Sequence, residues 1–461
     1  MVYKPHDYQR TAMQWLMDRP ASCLFLDMGL GKTVIVLTAL QRLIDDCEID
    51  RTLVVAPKKV AETQWTDEAS KWDHLRGLKV VSVVGSEKKR KMALAEKADV
   101  YVIGRDNFVW LVGLYGGQPP FDAMVIDELT SFKSSKSQRF KAMRIARPGF
   151  RRVVGLTGTP APNGLADLWG QLYCIDMGER LGKSVTRYRD TYFNSHRWNN
   201  IVVRCNLKDG CEEIIRNRIS DICLSMQAKD YLQLPDLLVH TVSVRLPPAI
   251  MDAYNRFERE KVLEFKQTHE GEGANVLANS AAGLMNKLSQ FSNGAVYDDE
   301  RNVHDIHSEK LDRLAEIIEA ANGSSVLVFY QYKHDIPRIM SKLKDYRVKV
   351  YEGAKQLADW NAGKIDVLLA HPASTAYGLN MQQGGHYIVW FGTGWDLELF
   401  QQANARLHRQ GQRHPVTVYK LICAHTVDER ASAALEDKKN KQQSLLDGLN
   451  YLIRKHCNGK G

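Results

Sequence analysis

The stretch LFLDMGLGKT, residues 24–33, joins two different hydrophobic patterns. Ala21 to Leu26 form an apolar run typical of a buried strand, and after the stretch apolar residues recur with helical spacing from Val34 to Ile44. A glycine-bearing loop between a strand and a helix is the layout of a phosphate-binding loop, because its backbone N–H groups can approach phosphate oxygens and the helix N-terminus adds partial positive charge. A chance turn containing Gly and Lys is the alternative, which the flanking strand and helix disfavour.

In that interpretation the individual residues of the loop have separate chemical roles. Gly29 and Gly31 allow the backbone to come close to phosphate. Lys32 would reach the β- and γ-phosphates, and the Thr33 hydroxyl would bind Mg²⁺. Leu26 stands where the common G-x-x-x-x-G-K-[ST] pattern has its first glycine, so the match is to a variant with glycine at position 29.

A second apolar run ends in acidic residues at MVIDE, residues 124–128. Because open α/β sheets bind ligands at the carboxyl edge of their strands, Asp127 and Glu128 are expected at such an edge. Asp127 is placed to hold Mg²⁺ through water, and Glu128 is the candidate that orients or deprotonates the attacking water. An Asp-Glu pair alone is more often a solvated strand end, but its combination with the phosphate loop favours the catalytic interpretation.

Composition indicates several domains and a polyanionic partner. At about 150 residues per domain, the 461 residues predict two to three domains. The net charge of +9 favours a partner such as a phosphate backbone. Eight cysteines occur without a C-x-x-C pair, so reduced thiols are expected rather than a metal site. The sequence shows no signal peptide and no apolar run near the ~20 residues of a membrane span, which predicts an intracellular protein without a membrane partner.

Short β-rich runs separated by helical stretches occur in two series, one in each half of the chain. The runs are 53–56, 80–84, 100–103, 123–127 and 153–156 in the first half, and 326–330, 348–351, 367–370, 387–391 and 416–421 in the second. This alternation predicts an α/β fold with two doubly wound parallel sheets. Residues 250–265 between the halves have helical periodicity, which predicts a mostly helical insertion.

The second half contains the polar segment QQANARLHRQGQ, residues 401–412. On a helix, Gln402, Arg406 and Arg409 would sit at i, i+4 and i+7 and share one face. Such a face suits a triphosphate, since arginines can stabilise the charge that develops on the γ-phosphoryl group. Taken alone, the segment would be interpreted as an ordinary basic helix.

Eight segments in one order resemble a known family. They are KPHDYQRTAMQWL (4–16), DMGLGKT (27–33), VVAPKKVAETQW (54–65), VIDE (125–128), LTGTPAPNGLADLWGQL (156–172), VLVFYQY (326–332), STAYGLNMQ (374–382) and QQANARLHRQGQ (401–412). This order is similar to that of the Swi/Snf-like branch of superfamily 2 DNA helicase-translocases. The resemblance covers nearly the whole chain and includes LQLPDLLVHTVSVRLP (232–247), which is similar to the segment with which the family leaves its first lobe.

The resemblance implies two RecA-like lobes with ATP and Mg²⁺ between them and DNA lying across both. The implied division is a first lobe at residues 1–240, a helical protrusion and linker at 241–305, and a second lobe with arginine fingers and a C-terminal helical segment at 306–461. Gln9 would contact adenine, while Thr157 and Thr159 would couple hydrolysis to lobe movement.

The resemblance also assigns the remaining site residues. Gln402, Arg406 and Arg409 would complete the γ-phosphate site that begins with Lys32, Thr33, Asp127 and Glu128. The candidates for the DNA-facing side are Lys58, Arg105, Tyr330 and Thr375.

Two positions depart from the family pattern. Thr130 stands where many members have the histidine of DEAH or DEGH, and Asp396 follows Trp395 where the family tends to have asparagine. Neither change removes a phosphate or metal ligand. The chain is also short for this branch, which favours a compact bacterial or phage member.

These inferences predict a DNA-dependent ATPase that translocates on duplex DNA by ATP-driven closure of its lobes. Remodelling or annealing of DNA is left open, as are branched and single-stranded DNA as partners. The alternatives are a processive strand-separating helicase and, from another class, a DNA-binding scaffold with a vestigial ATPase. A monomer in the cytoplasm of a bacterial or phage-infected cell is expected, with a recruiting protein partner that the sequence does not identify.

Overall fold

The computed structural model describes residues 1–440 apart from 163, 199–200, 233, 269–273 and 376–378. Its contacts divide the chain into two compact units: the first is Met1–Leu232 together with the residues from Lys438 onward, and the second is Gln233–Asp437. Each unit is built around its own parallel sheet.

The first unit is built around a seven-stranded sheet whose strand order is β3-β4-β2-β5-β6-β1-β9. The strands of this unit are β1 (Ala21–Leu26), β2 (Thr52–Ala56), β3 (Val80–Val83), β4 (Val100–Gly104), β5 (Ala123–Asp127), β6 (Arg152–Thr157), β7 (Phe193–Trp198), β8 (Ile201–Leu207) and β9 (Cys223–Met226). All neighbours in the large sheet are parallel, and β7 and β8 form a separate antiparallel pair. The apolar runs of the first half are therefore confirmed as strands, and all but the partly exposed β3 are buried.

Helices connect the strands of the first unit. They are α1 (Asp7–Asp18), α2 (Lys32–Asp45), α3 (Trp65–Lys71), α4 (Glu87–Ala95), α5 (Phe108–Leu114), α6 (Gln138–Ala146), α7 (Leu168–Asp176), α8 (Val185–Tyr192), α9 (Cys211–Ile219) and α10 (Ala228–Tyr231). A π-helical turn, Val60–Gln64, leads directly into α3. On one face of the sheet a core of aliphatic and aromatic side chains packs against the helices, among them Phe25, Ile126 and Leu172.

The second unit is built around a six-stranded parallel sheet of order β10-β17-β16-β13-β15-β14. Its strands are β10 (Leu237–Val244), β11 (Ala295–Tyr297), β12 (Val303–Asp305), β13 (Val326–Phe329), β14 (Val348–Val350), β15 (Val367–Ala370), β16 (Tyr387–Trp390) and β17 (Val416–Cys423). Its helices are α11 (Pro248–Thr268), α12 (Ala274–Asn293), α13 (Glu309–Ala320), α14 (Asp335–Lys342), α15 (Ala354–Asn361), α16 (Pro372–Thr375) and α17 (Leu397–Asn404). The predicted α/β class with two parallel sheets is confirmed.

The boundary between the units differs from the predicted one. A first lobe ending at residue 240 would cut β10, but β10 pairs with β17 along its whole length, from Leu237 opposite Val416 to Val244 opposite Cys423. The hydrogen bonds of that ladder assign β10 to the second unit, and α11 and α12 belong to the same unit. Residues 427–440 are helical, and the rest of the predicted C-terminal segment lies outside the described residues.

A buried ion pair joins three elements of the second unit. The Lys310 ammonium lies 2.6 Å from Asp428 Oδ2 and donates hydrogen bonds to Asn293 Oδ1 at 2.8 Å and the Phe391 carbonyl at 3.1 Å. Burial by itself lowers the pKa of Lys310, but the Asp428 carboxylate outweighs it, so the pKa is raised and the lysine stays charged. The end of α12, the residue after β16 and the helical residues 427–440 thus meet at the ammonium group of a lysine in α13.

Gly294 lets the chain turn sharply after α12. Its φ is +96°, and a Cβ atom there would lie 2.2 Å from the His307 carbonyl oxygen. The Gly294 carbonyl accepts hydrogen bonds from the backbone N–H groups of Ile306 and His307 and from Arg338 Nη2. This position therefore combines a left-handed backbone, a close approach and a shared acceptor.

We expect Gly294→Ala to destabilise the second unit more than Gly323→Ala does. Both glycines have positive φ, but around Gly323 a Cβ atom would meet no heavy atom within 4 Å. The control should lose only the conformational strain, about 1–2 kcal/mol. Gly294→Ala adds the clash with the His307 carbonyl, and a loss above roughly 3 kcal/mol is expected. Urea unfolding followed by circular dichroism measures both; equal losses would contradict the steric argument.

Candidate active site

The loop after β1 has the backbone geometry that the sequence predicts. Gly29 and Gly31 have φ values of +87° and +79°, which L side chains rarely adopt. Gly31 is the N-cap of α2, and Lys32 is its first residue. The first N–H groups of an α-helix point out of its N-terminus, so this end of α2 has the geometry to bind an anion.

Lys32 folds back over this loop. Its Nζ donates to the Leu26 carbonyl at 2.8 Å and lies 3.5 Å from the Asp27 carbonyl. Gly158 comes from the LTGTP segment and lies against the same group, since a Cβ atom there would be 3.3 Å from the Leu26 oxygen and 3.7 Å from Lys32 Nζ. The loop after β6 therefore contacts the phosphate loop directly.

Gln9 also lies against the loop. Its Nε2 donates to the Leu30 carbonyl at 3.4 Å, and its Oε1 accepts from the His6 backbone N–H at 3.0 Å and the Tyr3 hydroxyl at 3.2 Å. Gln9 is 6% exposed, and its Nε2 atom would lie 2.8 Å from a Cβ atom built on Gly31. Its contact with adenine stays a prediction, but its position next to the loop is compatible with it.

The acidic pair sits at the carboxyl end of β5 in an unusual environment. Burial raises the pKa of Asp127, against the opposing effects of the Trp65 indole N–H and the Lys32 ammonium. Glu128 has a φ of +58°, a left-handed conformation that is rare outside glycine. Such strain costs about 1–3 kcal/mol and is concentrated at functional sites.

The residues around the acidic pair fit a magnesium ion. The Thr33 hydroxyl and the Asp127 carboxylate are oxygen donors, and adjacent residues contact them: Gln64 Nε2 lies 3.5 Å from Thr33 Oγ1, and Trp65 Nε1 donates to Asp127 Oδ2 at 3.1 Å. Within the described part of the chain, no cluster of three or more His, Cys, Asp or Glu side chains could hold a metal by itself. Mg²⁺ typically takes one or two protein ligands and completes its shell with phosphate and water.

The arginines of the second unit are not arranged as the sequence predicts. The prediction of one helical face at 401–412 is wrong, because α17 ends at Asn404 and the chain continues in turns. The Gln412 side chain stabilises these turns by donating to the carbonyls of Gln382 and Gly385, both at 3.1 Å. The backbone itself turns through short-range hydrogen bonds, from the Arg406 N–H to the Ala403 carbonyl and from the Leu407 N–H to the Asn404 carbonyl.

The arginines nevertheless converge. Arg406 Nη1 and Arg409 Nη1 lie 3.5 and 3.0 Å from the Leu379 carbonyl, and Arg406 Nε donates to the Gln402 carbonyl at 3.0 Å. Gln402 is 3% exposed, and its side chain donates to Glu398 Oε1 at 3.2 Å. Arg406 is thus joined to Gln402 at the spacing of one helical turn, whereas Arg406 and Arg409 are joined to each other through the carbonyl of a distant residue, Leu379.

Two DNA-facing candidates of the first unit are neighbours. Lys58 follows β2 and Arg105 follows β4, which pair in parallel. A Cβ atom on Gly104 would be 3.7 Å from the Lys58 Cα atom. Lys58 is exposed and Arg105 is partly exposed.

The two candidates of the second unit differ in accessibility. Tyr330 is partly exposed and packs edge-to-face on His371 with ring centroids 5.7 Å apart. Thr375 is fully buried and its hydroxyl donates to the Pro372 carbonyl at 3.0 Å, so in this conformation it offers no surface to DNA. The DNA-facing role of Thr375 stays a prediction.

The two departures from the family pattern have local explanations. Asp396 caps α17, because its Oδ1 accepts from the Leu399 backbone N–H at 3.0 Å. Thr130 is buried in the short 3₁₀ turn Leu129–Phe132 that follows the acidic pair. Trp65 and Gln64 are contacts that sequence reasoning missed, although both lie at the end of the quoted segment VVAPKKVAETQW.

Two family models match this chain. Residues 8–294 match the SNF2-related domain and residues 309–411 the helicase conserved C-terminal domain. The chain belongs to the SNF2-related family. It is an ATPase of superfamily 2, and the resemblance found in the sequence is confirmed. A putative protein of Acyrthosiphon pisum secondary endosymbiont phage 1 is 36% identical over 97% of this chain and 99% of its own. A compact phage or bacterial member is therefore supported.

Two other similarities are more distant. An uncharacterised ATP-dependent helicase of Mycoplasma genitalium is 24% identical over 96% of this chain, which spans only 42% of that protein. The crystal structure of the Pyrococcus furiosus Hef helicase domain matches with a TM-score of 0.52 at 16% identity, over 94% of this chain and 98% of that one, which shows the fold alone. In the described residues, no helix has both the length and the apolar character needed to cross a membrane.

We expect Lys32→Ala and Glu128→Gln to fail at different steps. Loss of the Lys32 charge should weaken nucleotide binding as well as turnover. Glu128→Gln keeps the shape but cannot accept a proton, so nucleotide should still bind while hydrolysis falls by about 10²–10⁴-fold. Fluorescent-nucleotide titration and phosphate release separate the two effects. The exposed Glu62→Gln is the matched control, and a Glu128→Gln protein as active as this control would remove Glu128 from the mechanism.

Proposed function

We propose that this protein is a DNA-dependent ATPase that translocates on duplex DNA by ATP-driven closure of its two units. The observation that carries the proposal is the convergence of Arg406 and Arg409 on one carbonyl in a unit that has no phosphate loop of its own. A phosphate loop with a buried Asp and a strained Glu already forms half of an ATP site in the first unit. The arginines of the second unit supply what that half lacks.

The first unit would bind ATP and prepare the attack of water. The N–H groups at the start of α2 and the Lys32 ammonium would bind the β- and γ-phosphates. Thr33 and Asp127 would hold Mg²⁺, which when bound neutralises charge on the phosphate oxygens. Glu128 would accept a proton from the attacking water while the water oxygen forms its bond to the γ-phosphorus. The bond to the bridging oxygen breaks, and ADP and inorganic phosphate leave.

The second unit would stabilise the transition state. Guanidinium groups form planar, charge-assisted hydrogen bonds with phosphoryl oxygens, and such contacts matter most when charge is spread over the transferring group. Gln402 would complete this set. Supplying these groups from a separate unit makes hydrolysis depend on closure, which provides the link between chemistry and movement.

DNA is the polyanion that fits the charge and the exposed basic residues. The net charge is +9, and Lys58 and Arg105 lie side by side at the carboxyl ends of paired strands. A relative named as a putative ATP-dependent helicase/translocase of Bacillus subtilis, 23% identical over 96% of this chain, supports translocation as the activity. The chain spans 49% of that relative.

We expect Arg406→Ala and Arg409→Ala to abolish DNA-stimulated hydrolysis while leaving binding intact. The first unit supplies most nucleotide contacts, so affinity for ATP and duplex DNA should change little, while turnover should fall by about 10³-fold or more. Phosphate release with and without duplex DNA measures this. Arg413→Ala, an exposed position beyond the arginine pair, is the control. Unchanged DNA-stimulated turnover in both variants would refute closure, and no hydrolysis by the parent protein would favour a scaffold.

Salt dependence tests the nature of the DNA contacts. If roughly six phosphates are contacted, affinity should fall on the order of 10³-fold between about 50 and 200 mM salt. Lys58→Ala and Arg105→Ala should each reduce the log–log slope by about one, because each removes one phosphate contact. The exposed Lys97→Ala is the control. Fluorescence anisotropy with duplexes of several sequences measures the slope, and a strong preference for one sequence would count against translocation. Strand displacement on forked DNA would favour the alternative of a strand-separating helicase.

A further inference from the structure

The segment between β2 and α3 has an uncommon backbone. Val60–Gln64 form a π-helical turn, and α3 begins at the next residue, Trp65. π-Helical turns are rare, widen the helix locally and frequently occur at functional sites. Here the turn ends at the two residues that contact the oxygen donors of the proposed magnesium site.

The stronger contact comes from Trp65. Its side chain is fully buried, and its indole N–H donates to Asp127 Oδ2 at 3.1 Å. A buried indole N–H needs a hydrogen-bond acceptor, and a backbone carbonyl can supply one. The Ile222 carbonyl does so for Trp15 at 3.4 Å. Trp65 instead uses a buried carboxylate 62 residues away.

The weaker contact comes from Gln64. Its Nε2 lies 3.5 Å from the Thr33 hydroxyl oxygen. A hydroxyl has two acceptor lone pairs, so an amide donor on one leaves the other for a cation. Consecutive residues of one segment therefore approach both oxygen donors, which come from α2 and β5.

We propose that Trp65, with Gln64 beside it, is a positioning residue that sets the orientation of Asp127 and Thr33 for Mg²⁺. The proposal rests on the proposed function, in which those two residues hold the ion. An indole donor on one carboxylate oxygen restricts rotation of the carboxylate, as outer hydrogen bonds do for other metal ligands. The π-helical turn aligns Gln64 and Trp65 so that both reach the site.

The test is the magnesium dependence of ADP binding in Trp65→Phe. This change removes the N–H group and keeps an aromatic ring in the core. The concentration of Mg²⁺ that half-saturates binding of a fluorescent ADP analogue should rise by about 10–100-fold, the usual effect of losing an outer hydrogen bond to a ligand. Binding of the same analogue in EDTA should stay unchanged. The control is Trp15→Phe, which removes a buried indole N–H of the same unit away from the site.

Three comparisons decide between the outcomes. An unchanged magnesium requirement in folded Trp65→Phe overturns the proposal, and a shift of the same size in Trp15→Phe does so too. If Trp65→Phe does not fold, Gln64→Leu replaces it, with a smaller shift in the same direction expected and no shift overturning the proposal. Asp127→Asn separates the two levels of inference. If Asp127→Asn leaves the magnesium requirement unchanged, the proposed metal site itself fails. If Asp127→Asn raises the magnesium requirement but Trp65→Phe or its replacement Gln64→Leu does not, only the positioning role fails.

Discussion

Parallel pairing of β5, β6 and β1 is the constraint on which the site of the first unit depends. In this order the carboxyl ends of three neighbouring strands lie at one edge, with Asp127 opposite Leu156 and Thr157 opposite Phe25. The acidic pair, the TGT segment and the phosphate loop follow those ends directly. Since each loop leaves a strand whose register is fixed by its neighbours, the three segments meet without a long loop having to be ordered.

This arrangement places strained and buried polar groups at the same edge. Glu128 has a left-handed backbone, and Asp127 is a carboxyl group whose pKa is raised by burial. Both features oppose folding, and the surrounding β-sheet hydrogen bonds and apolar core must compensate for them. The Trp65 indole supplies part of that compensation because it gives Asp127 a hydrogen-bond donor inside the core. The Trp65 side chain can thus offset part of the cost of burying Asp127 and also orient the Asp127 carboxylate as a proposed magnesium ligand.

The second unit brings its arginine side chains together in a different way. Its sheet places the loop after β15 and the turns after α17 within reach of each other, and backbone carbonyls then bind the arginine side chains. The Leu379 carbonyl contacts two guanidinium groups, and the Gln412 amide holds the following turn. The buried pair of Lys310 and Asp428 connects the α12 end to the same sheet. Because the ion pair of Lys310 and Asp428 is buried, loss of one of its partners costs more folding stability than loss of a partner from an exposed ion pair.

The sequence by itself determined the features that depend on short-range patterns. Apolar runs predicted six of the seven strands of the first sheet and five of the six of the second, missing β9 and β10, and glycine spacing predicted the phosphate loop. The position of Asp127 and Glu128 at the end of an apolar run predicted their place at the sheet edge, and the order of the motifs identified the family. These features are local, since periodicity and glycine conformations are set by neighbours along the chain.

Only the tertiary structure decided the features that join distant segments. It ended α17 at Asn404, buried Thr375, placed β10 in the second sheet and paired Trp65 with Asp127. Helical propensity at 401–412 did not prevail: after Asn404 the backbone N–H groups of Arg406 and Leu407 bond to carbonyls three residues earlier, and the Gln412 side chain bonds to carbonyls 27 and 30 positions earlier. Such contacts depend on which strands become neighbours, and that information is not present in any one segment.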